Sequence, residues 1–208
     1  MIQVEKDGGV VIRAPSSLSV NSLEKFIQGK QTWIRNAVER QKKHHLKTSL
    51  SIRDGGRLLY LGELRPVVSD SGVRDAYYQE GTYYIPTLSE EENRQSVISL
   101  LRKTAKRTFT RRVKYFSCLA GIRYSSIRIT GAATRWGSCN AKGGMNFSYR
   151  LLFTPPETID YVIVHELSHI LQHNHSEAFW KVVENIMPDY RRRARALRNF
   201  EKEYDFSV

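Results

Sequence analysis

Residues 165–169 read His165-Glu166-Leu167-Ser168-His169, directly after the apolar run Tyr161-Val162-Ile163-Val164. On a helix, histidines four residues apart share one face about one turn from each other. Their imidazole nitrogens then reach a single zinc ion at roughly 2.0–2.1 Å. Glu166, beside the first histidine, is placed to take a proton from water polarised by that ion. The segment also opens as a helix should, with Thr154 as a capping residue, Pro155 and Pro156 in the first turn, and Glu157 three residues after Thr154. The bland alternative is a helix with two surface histidines. Four of the six histidines fall between 165 and 175, which argues against it.

A zinc site of this kind takes a third protein ligand. His173 lies four residues past His169, but about 12 Å of helix rise separates it from His165, too far for both to share one ion. The ligand must come from chain that has left the helix and turned back. Asn174 suits the left-handed conformation that ends helices. His175 is therefore the expected third ligand, and His173 a neighbouring or surface residue. Glu184, on the next expected helix, is the rival.

Other residues bear on the site. Arg135 either stabilises an oxyanion or bridges to an acid such as Glu177 or Asp160; both readings stay open. Tyr149 and Tyr190 are further candidates for a donor that helps hold an oxyanion. Trp136 and Trp180 read as core packing, and Cys139 as a small apolar residue. The strand expected at Gly144-Met145-Asn146-Phe147-Ser148 precedes the metal helix. It is read as a sheet edge able to pair with extended substrate, against the alternative of an ordinary interior strand.

The stretch Thr134-Arg135-Trp136-Gly137-Ser138-Cys139, then Asn146, then Pro155 to Trp180 with Asn174-His175-Ser176 and Phe179-Trp180, resembles the YgjP-like family of zinc metallopeptidases. That family is similar in turn to SprT-like proteins and to the yeast protease that clears DNA–protein crosslinks. The match covers the last third to half of the chain, and more loosely Trp33-Ile34 and Leu61-Gly62-Glu63. It implies His165, His169 and His175 as zinc ligands, Glu166 as the catalytic base, and a zincin-like core.

The elements that must position these residues are legible in outline. Residues 2–5 and 10–14 alternate around Asp7-Gly8-Gly9, a hairpin signal. Asn21 to Glu24 resembles a capping box opening a helix to about His45, with Gly29 as a break point. Several short β-rich runs fill 49–86. Ser89 to Glu92 opens a long helix to about Ser117. Residues 125–130 and 145–149 read as strands, and helices are expected near 157–172, 176–186 and 189–203. The fold class is α+β: a helix, a small mixed sheet, the HExxH helix and C-terminal helices at 88–208, with a smaller N-terminal α+β module at 1–87. One continuous domain is the alternative.

With 208 residues, 40% hydrophobic and 11% aromatic, the chain can hold one good core. No apolar run reaches the ~18 residues needed to span a bilayer, and the N-terminus lacks the apolar core of a secretory signal. Cys118 and Cys139 form no disulfide framework and neither sits in a CxxC. The expected setting is the cytoplasm, with no membrane partner. The net charge is +12, and seven basic residues and no acid lie between Arg102 and Lys114. Positions 103, 106, 107, 111 and 114 fall close to one helical face, and Arg191-Arg192-Arg193 with Arg195 and Arg198 form a second cluster. These are either solvated faces or surfaces for nucleic acid. The function expected is zinc-dependent hydrolysis of a polypeptide with Glu166 as general base. Two alternatives are a nucleic-acid-associated protease acting on DNA-bound proteins, and a zinc hydrolase of phosphorylated or other small molecules on the same fold.

Overall fold

A computed structural model of the chain describes residues 2–4, 9–15, 19–45 and 48–206. The described residues form five α-helices and several small sheets, and the chain divides into two compact units, 1–48 and 49–208. The mixed helix-and-strand class is the one expected. The boundary read near residue 87 falls inside the second unit, because strands before it and helices after it share one buried core.

In the first unit, β1 (Ile2–Val4) and β2 (Val10–Ile12) pair antiparallel, Ile2 opposite Ile12 and Val4 opposite Val10. Asp7 and Gly8 of the expected turn lie outside the described residues. Helix α1 (Val20–His45) is opened by Ser19, whose Oγ accepts the Ser22 N–H at 3.3 Å, ahead of the expected Asn21–Glu24 box. The helix runs unbroken through Gly29. A lone interior glycine costs only about 1 kcal/mol against alanine, too little to end a long helix.

The short strand β3 (Thr48–Ser49) leads into the second unit, followed by β4 (Arg57–Tyr60), β5 (Glu63–Ser69), β6 (Tyr77–Gln79) and β7 (Thr82–Ile85). The last four form a sheet of order β4-β5-β7-β6. Its two-residue hairpin loops have positive φ throughout: Leu61 52° and Gly62 89°, Glu80 48° and Gly81 82°. Type I′ turns require this, and a leucine adopts it only under compensation. The compensation is visible. Leu61 N–H donates to Leu152 O at 2.8 Å and Gly62 N–H to Phe153 O at 3.0 Å. A Cβ at Gly62 would meet Pro155 Cγ at 2.9 Å. The hairpin tip is thus pinned to the chain that leads into the histidine-bearing helix.

Helix α2 (Glu90–Ala120) opens with the expected capping box: Ser89 Oγ accepts the Glu92 N–H at 3.4 Å, and Glu92 Oε2 accepts the Ser89 N–H at 3.0 Å. It runs past Ser117 and stops where Gly121 takes φ 67°. Val97, Leu101, Ala105, Phe109 and Val113 recur every four residues and are buried. Next come β8 (Ser126–Thr130), β9 (Gly137–Cys139) and β10 (Gly144–Ser148), in sheet order β8-β10-β9. The segment 144–148 is therefore the interior strand, not the edge, with Met145 and Phe147 turned into the core. The edge on the helix side is β9, where Gly-Ser-Cys carries no β-branched or aromatic residue to announce a strand.

A 3-10 turn (Tyr149–Phe153) delivers the chain to α3 (Pro156–Ser168). Thr154 is not its cap; the hydroxyl donates back to Leu151 O at 2.9 Å, and Thr158 N–H donates to Pro155 O at 2.9 Å. Helix α3 stops four residues short of the expected 172. Ser168 Oγ donates to Val164 O at 2.8 Å, and the next backbone bonds tighten, Ile170 N–H to Leu167 O at 3.1 Å. Helices α4 (Glu177–Ile186) and α5 (Tyr190–Glu203) and strand β11 (Tyr204–Asp205) complete the chain. Asp160 ties α3 to its neighbours: it accepts from Arg112 Nε of α2 at 2.6 Å and from a second Arg112 nitrogen, and it lies 3.8 Å from Arg193 of α5. Among the described residues no helix is long and apolar enough to cross a membrane.

Candidate metal centre

His165 and Glu166 project from the last turn of α3, His169 caps the helix, and His175 returns from the turn before α4. Donor nitrogens of the three histidines all lie within 4.8 Å of one another. His165 Nε2 and His175 Nε2 are 3.0 Å apart. His173, expected to stand aside, is exposed and outside this group, as is Glu184. The early end of α3 brings this about, since a helix continued to 172 would carry the chain away from His165.

The donor set fits a zinc ion. The Gln172 carbonyl can only accept, so His169 Nδ1 is the protonated nitrogen of their 3.2 Å bond and Nε2 keeps its lone pair. Burial, with His169 and His175 close by, lowers His165 to about 4, so its ring is neutral at neutral pH. The His165 Nδ1 atom is buried without a partner among the described residues. Phe179, fully buried, lies under all three rings, with centroids 5.0, 4.5 and 4.9 Å from His165, His169 and His175. Trp180 stacks on both His175 and Tyr190. Ser176 Oγ caps α4 at Phe179 N–H, which seats Phe179 and Trp180 beneath the site.

Glu166 is 6% exposed. Burial raises its pKa to about 7, with the Arg135 charge pulling the other way. Its side chain lies against Gly137 of β9, where there is no room for a Cβ. Cys139, two residues on, feels burial and then the Glu166 charge, which raise its thiol to about 11 and keep it protonated. A cavity of about 220 Å³ opens at this point, lined by Trp136, Gly137, Tyr161, His165, Glu166 and Leu197.

The other candidates fall differently. Arg135 is exposed and bridges to neither proposed acid: Asp160 is held by Arg112 and Arg193, and Glu177 by Lys181. Tyr149 is buried beneath Arg102 and Arg150, and Tyr190 packs on Trp180, its hydroxyl accepting from Arg191 Nε. Neither lines the cavity at Glu166. Tyr161 does, one turn before His165 on the same face, and its position four residues upstream was the available signal. Gly137 and Phe179 also matter here. Nothing in their residue types announces it, since a glycine marks a close approach only once its neighbour is known.

The family model of the YgjP-like, metallopeptidase domain matches residues 1–200, and the chain belongs to that family. Among solved structures, the metallopeptidase zymogen of Pyrococcus abyssi, abylysin, is similar at a TM-score of 0.41 and 19% identity, over 47% of this chain and 99% of that one. No curated protein matches the chain.

Proposed function

We propose that the chain is a zinc-dependent peptidase of zincin-like architecture, with His165, His169 and His175 as ligands and Glu166 as general base. The observation that carries the reading is the convergence of three imidazoles within 4.8 Å beside one buried carboxylate. Zinc held there supplies Lewis acidity, which acidifies water towards a pKa of ~7 and polarises a carbonyl. Glu166, buried beside His165, is placed to accept a proton and return it to the leaving amine. Phe179 and the Gln172 carbonyl hold the rings in orientation, so that little is left to reorganise.

An extended polypeptide is the substrate the sheet favours. On the far edge, Lys106 Nζ and Arg102 Nη1 of α2 occupy the carbonyls of Ile127 and Ile129 in β8, which blunts that edge. Strand β9 is the other edge and lies beside Glu166, where a substrate strand can add. Cys118 and Cys139 are free thiols, which suits a reducing compartment such as the cytoplasm.

The test is elemental analysis with hydrolysis of an unfolded polypeptide, for the native chain and Glu166→Gln. One zinc per chain is expected in both, with activity falling about 10²- to 10⁴-fold in the variant. Full activity in the variant, or zinc-loaded native chain that cleaves no polypeptide, overturns the reading.

A second reading, action on nucleic-acid-bound proteins, has one observation in its favour. Lys103, Arg107, Arg111 and Lys114 form an exposed stripe on α2 and make no ion pair among the described residues. The hydrolysis of phosphorylated small molecules has no glycine-rich phosphate cradle to support it.

A further inference from the structure

Beyond the metal centre, a second cavity of about 260 Å³ lies at the mouth of the small sheet, lined by Thr130, Arg135, Ser138, Asn146 and Ser148. It shares Trp136 and Gly137 with the cavity at Glu166, so the two adjoin at one end of β9. They lie on opposite faces of that strand. Gly137 and Cys139 face Glu166, and Ser138, between them, faces the second cavity.

The hydrogen bonding of this second cavity selects its ligand. Ser148 Oγ already donates to Ala132 O at 2.7 Å. Ser138 Oγ accepts from Asn146 Nδ2 at 3.1 Å, which leaves the Ser138 hydroxyl proton, the other Asn146 N–H and the Asn146 carbonyl oxygen uncommitted in the lining. Arg135 is the charged residue of the lining. The cavity thus offers these donors and one positive charge alongside the Asn146 carbonyl, and no acid lines it. A carboxylate, which only accepts, complements it; an ammonium does not. The chain's net charge of +12 draws acidic segments towards it.

We infer that this cavity is a specificity pocket for an aspartate or glutamate side chain of the polypeptide substrate, with Arg135 as the determinant. The inference rests on the peptidase reading. A substrate laid in extended form along β9 alternates its side chains between the two faces. The residue whose side chain enters the polar cavity therefore sits next to residues that face the metal centre. An acidic side chain within a residue or two of the cleaved bond is then held by Arg135, Ser138 and Asn146.

Two measurements test this. In the first, zinc-loaded protein digests a mixture of unstructured peptides of random sequence, and the cut sites are read by mass spectrometry. Aspartate and glutamate are expected to be enriched at least about tenfold at one position near the cut, as the loss of a charge-assisted bond implies. The enrichment should disappear in Arg135→Gln, persist in part in Arg135→Lys, and turn towards lysine and arginine in Arg135→Glu. Cleavage without acidic enrichment, or enrichment indifferent to Arg135→Gln, overturns the inference. The second measurement needs no turnover: fluorescence anisotropy of an acidic peptide and its Gln/Asn counterpart on zinc-loaded Glu166→Gln protein. Tighter binding of the acidic peptide, lost on adding Arg135→Gln, supports the pocket even if the native chain cleaves nothing and the peptidase reading falls. Equal affinity for the two peptides overturns the pocket while leaving the peptidase reading standing. Inorganic phosphate that competes while the two peptides bind equally assigns the cavity to a phosphate and also overturns it.

Discussion

Gly137 of β9 lies against Glu166 of α3 so closely that a Cβ at position 137 would fall 2.7 Å from both Cγ and Oε1 of the carboxylate side chain. The sheet edge and Glu166 therefore share one packing contact, and the edge can approach the carboxylate only because residue 137 has no side chain.

Gly137→Ala should force Glu166 or β9 to shift. Overpacking of this kind costs about 1–3 kcal/mol. The expected result is a lowered melting temperature, with zinc retained because the histidines do not touch position 137, and a large loss of turnover. A variant with native stability and native turnover would mean that the strand slides away at no cost.

The ligand assignment separates two neighbouring histidines. His175→Ala should strip the metal, whereas the exposed His173→Ala should leave it in place. Elemental analysis of the two purified variants decides, and the opposite pattern would require a different end to α3.

Metal-free protein should carry the Glu166 burial in its pH dependence. The folded-state pKa is raised to about 7 from 4.5. Its contribution to stability is thus fully present below pH 4.5 and is lost as pH rises through about 7. His165 works the other way: lowered to about 4 from 6.5, it contributes above pH 6.5 and the contribution is lost as pH falls through about 4. Glu166→Gln removes the first term alone. Relative to the native chain it should therefore gain about 3 kcal/mol between pH 4.5 and pH 8 in denaturant titrations of metal-free protein. A pH-independent difference would show that Glu166 is solvated.

Asp160 holds α3 between α2 and α5 through Arg112 and Arg193. Asp160→Asn should cost about 2–3 kcal/mol, below the full value for a buried pair because Arg112 is one-third exposed. Chemical denaturation reads this, and zinc affinity should fall with it, since α3 carries His165 and ends at His169. A neutral substitution would show that apolar packing alone fixes the helix.

The outer stripe of α2 should bind nucleic acid weakly and without sequence preference, with affinity falling steeply as salt rises. Glutamate in place of Lys103, Arg107 and Lys114 should weaken this and leave zinc content unchanged. Lys106, used on the Ile127 carbonyl, is left out of the test. Absence of any binding at low salt would make the stripe a solvated face.

Local chemistry was legible in the sequence wherever a residue's role depends on its near neighbours. The 165–169 spacing placed two histidines on one helical face with a glutamate beside the first, the Ser89–Glu92 box opened α2, and the length limit on a helix pointed to His175. These follow from backbone periodicity and capping, which act over a few residues. Other features were settled only in three dimensions. At the early end of α3, the Ser168 hydroxyl bonds back to Val164 O and the following backbone bonds tighten. The strand 144–148 became interior because β9, with no strand-forming residue, pairs antiparallel on its far side. Leu61 holds a left-handed conformation because Leu152, 91 positions later in the sequence, accepts its N–H. Gly137 has no room for a Cβ only because Glu166 arrives against it. The last three rest on backbone hydrogen bonds or excluded volume between distant segments, and neither leaves a mark in the types of the residues involved.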